Sequence, residues 1–171
     1  MIDRQSLTFF VYGQPKGRIH TRPAFNRKTG RVFTRGDTSP GQVSWTVAAR
    51  EAAAQAAVDQ GWQKPEVGAI WLSAEFIMPR PQAYVWKGPH AEPWHWKQPD
   101  RDNLEKGLLD GLRGILFRDD AQVCQGPTSK RYAHAGEQCG ALIRVAELGE
   151  WQEVLAEETP SPSREVQGAL L

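Results

Sequence analysis

The sequence predicts an α+β fold in which a mixed β-sheet packs against two main helices, forming a single compact domain over residues 1–147 followed by an acidic tail over 148–171. Three observations carry this. Residues 67–78 alternate apolar and polar side chains with period two, the mark of a half-buried strand. An alanine-rich run from Pro40 to Gly61 and a leucine repeat at 104, 108 and 112 have helical spacing. A chain of 171 residues buries enough surface for one core without disulfides or a structural metal.

Taken in order, SLTFFVY (residues 6–12) is β-branched and aromatic and stops at Gly13 and Pro15, so it reads as a strand. A basic arm follows over 13–36. Within it AFNRKTGRVFT sets Lys28-Thr29-Gly30 between two extended runs, a hairpin with glycine where φ turns positive. Ser39-Pro40 caps the first helix, whose stripe of Val43, Val47, Ala54 and Val58 is expected to face the sheet. In the strand 67–78, Ile70, Leu72, Ala74, Phe76 and Met78 point one way, and Trp71, Ser73 and Glu75 the other. Residues 79–99 are too proline-rich for regular structure, with Trp86, Trp94 and Trp96 expected to tether the loop and His90 and His95 to lie on the surface. Asp102-Asn103-Leu104-Glu105 has capping-box form and opens the second helix. Segments 121–133 and 138–147 read as an antiparallel pair joined near Ala135-Gly136-Glu137.

Net charge is +1, but its distribution is uneven. Residues 1–35 carry eight basic side chains against Asp3 alone, or +7, whereas residues 147–171 carry six acidic ones against Arg164, or −5. No apolar run approaches the roughly 18 residues of a membrane span. The N-terminus lacks the order of a secretory signal, so a cytoplasmic, membrane-free protein is expected. Cys124 and Cys139 stand far from any Cys/His cluster, which argues against zinc and for reduced packing thiols.

The chemistry concentrates in KQPDRDNLEK, residues 97–106. Asp100 and Asp102 flank a helix start, and Lys106 lies one turn inside on the face of Asp102. Hard cations such as magnesium take carboxylate oxygens, and Asp119-Asp120 can supply a third ligand. Such a site suits phosphodiester cleavage, with Lys106 offsetting charge at phosphorus. The plainer reading stands beside it: Asp102 caps the helix and pairs with Lys106, and Asp119-Asp120 turns the chain.

The run PDRDNLEKGLLDGLRGILFRDDAQV, Pro99 to Val123, resembles the signature of RusA-like Holliday junction resolvases, phage and prophage type. GQPKGRIHTRPAF resembles their segment after the first strand, and SKRY their basic strand, so the resemblance spans about residues 7–147. It implies that Asp100, Asp102 and Asp120 bind magnesium (or manganese as a substitute), that Lys106 assists at the phosphate, and that Asn103 and Asp119 support them. It also implies a homodimer that nicks two opposed strands of a four-way DNA junction. DNA contacts are expected from Lys16, Arg18, Arg22, Arg27 and Lys28 in the arm and from Lys130 and Arg131, while Arg101 faces either a phosphate or solvent.

Two other classes remain open. A non-cleaving branched-DNA-binding protein would not favour clustered carboxylates. A metal-dependent nucleotide phosphohydrolase would need a phosphate cradle, and no P-loop pattern is present.

Overall fold

The computed structural model describes residues 5–17, 21–36, 40–85 and 93–149. In its main sheet β1 (Ser6–Tyr12) lies antiparallel to β7 (Gly140–Glu147), and β7 lies antiparallel to β4 (Ile70–Met78). Along the other edge of β4 run β5 (Val123–Gln125) and β6 (Thr128–Tyr132), both parallel to it. A separate ribbon pairs β2 (Thr21–Asn26) with β3 (Arg31–Gly36). The helices are α1 (Pro40–Asp59), the single turn α2 (Gln82–Val85) and α3 (Arg101–Leu112). The fold is α+β, as the sequence predicts.

Parallel neighbours cannot be joined by a tight turn, and α3 is the crossover that carries the chain from β4 back to β5 and β6. The expected antiparallel pairing of 121–133 with 138–147 is therefore corrected. The turn at Ala135-Gly136 exists, but β4 lies between β6 and β7. An apolar nine-residue strand is poorly placed at a sheet edge, and β4 takes partners on both sides.

One face of the sheet is buried. Leu7, Phe9 and Val11 of β1, Ala141, Ile143 and Val145 of β7, and Ile70, Leu72, Ala74, Phe76 and Met78 of β4 share a core with both long helices. From α3 come Leu104, Leu108 and Leu112, as their spacing predicts. From α1 come Trp45, Ala49, Ala53 and Ala56, and here the expectation fails: Val47 is 45% and Val58 79% exposed. Small side chains let α1 and α3 approach, Ala49 packing at Gly111, so the alanine stripe turns inward and the valines outward.

The end of α1 follows its sequence. Gly61 N donates to Val58 O and Trp62 N to Ala57 O, the paired bonds of a Schellman motif, and Trp62 Nε1 reaches Leu116 O at 2.9 Å. The loop over 79–99 holds the turn α2, contrary to its proline-based reading, and Trp94 bridges to Arg131. Cys124 is exposed rather than packed. No helix among the described residues is long and apolar enough to cross a membrane. Ser39, Trp86, His90 and the tail from 150 onward lie outside the described residues.

Gly126 separates β5 from β6 at φ +134, and a Cβ there would run into the Leu72 carbonyl. Gly126→Ala is expected to destabilise the protein by about 3 kcal/mol or more, read as a lowered urea midpoint with an unchanged slope.

Candidate active site

Backbone hydrogen bonds bring the chain to the mouth of α3. Pro93 O accepts from Tyr132 N at 2.9 Å, and Lys130 Nζ donates to the carbonyls of Lys97 and Pro99, each at 2.7 Å. Residues 93–99 are thus strapped along the outer side of β6, and Asp100 emerges at the start of the helix. His95 helps hold the strap. It is buried, its ring packs edge-on against Tyr132 with centroids 4.8 Å apart, and burial followed by the charge of Lys130 lowers its pKa. A surface position for His95 was expected, and the structure corrects it. The anchor is the histidine, while Trp94 and Trp96 are largely exposed.

The helix begins two residues earlier than its capping-box pattern suggests. Asp100 is the N-cap and makes no side-chain capping bond, which leaves its carboxylate free of that role. Asp102 lies in the first turn and pairs with Lys106 at 3.3 Å. The hydrogen bond from Lys106 is the main cause of its lowered pKa. Both side chains are mostly exposed, so the pair adds little stability and leaves the carboxylate open to a ligand. Segment 14–17 crosses this mouth. Gly17 sits so close to Asn103 that a Cβ would come within 3.1 Å of the asparagine Cβ, while the Lys16 side chain reaches toward Gly41 at the start of α1.

Asp119 and Asp120 lie elsewhere. Asp119 caps a 3-10 turn, accepting from Ala121 N at 3.0 Å, and this bond is the main cause of its lowered pKa. Gln122 returns the bond to Asp119 N at 3.1 Å and also reaches Gly68 O, near the start of β4. The charge of Arg113, the C-cap of α3, also acts on Asp119. An α-helix of 12 residues is about 18 Å long, so Asp120 stands at the end of α3 opposite Asp100 and Asp102. The sheet agrees: β5 pairs with β4 at Ile70 and Lys130 pairs at Phe76, six residues or about 20 Å along the strand. Among the described residues no group of three His, Cys, Asp or Glu side chains is placed to hold a metal ion. One chain offers Asp100 and Asp102 as hard oxygen donors that suit magnesium, and keeps Asp120 apart.

The basic candidates divide. Arg27 and Lys28 are exposed on the hairpin tip, and Lys16 is half-buried. Arg18 and the side chain of Arg22 lie outside the described residues. Lys130 is committed to the strap, and burial lowers its pKa against the opposing effect of Asp100. Arg131 binds Glu75 at 2.6 Å and Glu137 at 2.6 and 2.7 Å, a use other than the expected DNA contact. Arg101 donates to Thr128 O at 3.1 Å, joining the helix mouth to β6 rather than facing only phosphate or solvent. The sequence alone assigns Glu75 and Glu137 no part in holding Arg131, because Arg131 meets Glu75 across segments brought together only by the β4–β6 pairing.

A mixed sheet with a crossover helix that presents carboxylates at its N-terminus, together with a separate two-stranded ribbon, defines a single-domain α+β protein. The family model for endodeoxyribonuclease RusA matches residues 13–143, from the arm into β7. The chain belongs to the RusA endodeoxyribonuclease family, whose members act on Holliday junctions. A comparison with curated proteins finds no significant match.

Arg131 holds the Glu137 carboxyl down to about 2. A carboxyl depressed in the folded state stabilises it above the ordinary value of 4.5, and that stability is lost as pH falls toward 2. Glu137→Gln is expected to lower stability at pH 7 and to flatten the acid limb over that window, measured by urea unfolding at a series of pH values.

Proposed function

We propose that the protein is a divalent-metal-dependent endodeoxyribonuclease that resolves four-way DNA junctions by paired symmetric nicks, working as a homodimer. The observation that carries this is the presentation of Asp100 and Asp102 at the N-terminal mouth of α3 with Lys106 one turn inside. Asp100, Asp102 and Asp120 are the ligands of this reading, with magnesium as the metal and manganese able to replace it. A divalent cation held there supplies positive charge for a phosphate oxygen and favours deprotonation of the attacking water. Lys106 gives up its contact with Asp102 to meet the charge that builds on phosphorus. The amide end of α3 favours the same anion.

The separation of Asp120 from the other two supports a site shared between copies. Each chain would give Asp100, Asp102 and Lys106 to one site and Asp120 to the other. Twofold symmetry then sets two sites on opposed strands, in keeping with the symmetry of a junction. The same separation favours the second reading, a branched-DNA-binding protein that does not cut, if the chain acts alone. Lys16, Arg18, Arg22, Arg27 and Lys28 hold phosphates in either case.

Asp100→Asn, Asp102→Asn and Asp120→Asn are each expected to reduce magnesium-dependent nicking more than about a hundredfold while junction binding persists. Mixing the Asp102→Asn and Asp120→Asn proteins decides between arrangements. A shared site restores one intact centre per mixed dimer, so single nicks return; ligands drawn from one chain leave every centre broken. Cutting that survives excess chelator would remove the metal from the reading.

Replacing Arg27 and Lys28 together with alanine is expected to flatten the dependence of log K on log salt by about 0.9 for each lost phosphate contact. An unchanged slope and affinity would make the arm a solvated loop.

A further inference from the structure

The β2–β3 ribbon pairs with no strand of the main sheet among the described residues. Phe25 and Val32 stand directly opposite each other in its register, so their side chains leave the same face. They are 62% and 71% exposed. The turn beyond them is held closed: Asn26 O accepts from Gly30 N at 2.9 Å, and Asn26 Oδ1 accepts from Lys28 N at 2.9 Å and Thr29 N at 3.3 Å. The apolar pair is therefore presented on a fixed backbone. Arg27 and Lys28 are exposed at the tip next to it, Arg31 is exposed one step along the register on the other face, and no acidic residue occurs between Asp3 and Asp37.

An aromatic ring beside a cationic tip suits a ligand with flat apolar faces inside an anionic rim. A second copy of the same ribbon would meet it with like charge. A continuous duplex shows its phosphates but encloses its base faces, whereas the arms of a junction end in stacks that can be prised open. We infer that Phe25 and Val32 form a branch-point wedge, entering the centre of the DNA junction against terminal base faces while Arg27 and Lys28 at the tip grip the adjoining phosphates. The wedge rests on the junction-cutting reading and adds to it the side chains that tell a branch from a duplex.

The test uses the full chain in chelator, with four-way junctions carrying 2-aminopurine at the branch point, where unstacking raises fluorescence. Phe25→Ala is expected to lose most of that rise and to weaken junction binding about tenfold, as for a lost aromatic stack on a base. Linear-duplex affinity and its salt slope should move by less than about twofold, because the cations remain. Phe25→Trp should retain the rise. Val32→Ser, expected to lose part of it, serves if circular dichroism shows that Phe25→Ala does not fold. A folded Phe25→Ala protein that binds and unstacks the branch point like the unsubstituted chain overturns the wedge. A dimer-to-monomer change on Phe25→Ala in light scattering also overturns it and gives the patch to a second copy. Failure of the cutting reading is distinct: with magnesium the unsubstituted chain would leave junctions intact, while the fluorescence rise and its loss in Phe25→Ala would still report the wedge.

Discussion

β4 has neighbours on both edges, β7 antiparallel along nearly its whole length and β5 and β6 parallel on the other side, and this two-sided pairing positions the side chains around α3. The register that sets Lys130 beside Phe76 puts its ammonium under the carbonyls of Lys97 and Pro99. The next pair in the ladder sets Arg131 beside Ile77 and within reach of Glu75 and Glu137. A one-residue slip would turn both side chains to the wrong face, since side chains alternate along a strand. The break at Gly126 allows β5 and β6 to follow the same edge of β4 in turn.

α3 then acts as a spacer as well as a platform. Its leucine face is buried against the core, which holds its direction across the sheet. The carboxylates of Asp100 and Asp102 stand at one end, and the turn capped by Asp119 lies at the other. A rigid helix cannot fold its ends together, and this is the physical ground for proposing that two copies share a site. The polar groups beside the helix mouth are divided by the same geometry. Arg101 and Lys130 are spent on backbone carbonyls, whereas Arg27, Lys28 and Arg31 of the ribbon are exposed.

Among the described residues the ribbon forms a sheet of its own. Its strands are joined to each other and its tip is closed by the side chain of Asn26, so local hydrogen bonds hold the turn. A ribbon stabilised in this way can carry exposed apolar and cationic side chains without disturbing the sheet.

Much of this was legible in the sequence by itself. Period-two alternation over 70–78 named the buried face of β4 residue by residue, the leucines of α3 named its core face, and the KTG turn named the hairpin. The carboxylates of 100 and 102 and the lysine of 106 were legible because their relation is local, set by one helix start. Other features depended on contacts between distant segments. Alanine on every side of α1 left its buried face undetermined until α3 packed at Ala49. Pairing partners for β6 and β7 were undetermined because periodicity reports which face is buried and not which strand lies alongside. The burial of His95 and the commitments of Lys130 and Arg131 were settled by tertiary structure for the same reason: each depends on a group from a different segment. Asp120 was identified by motif alone, and only the length and direction of α3 decided that it stands away from Asp100 and Asp102 within one chain.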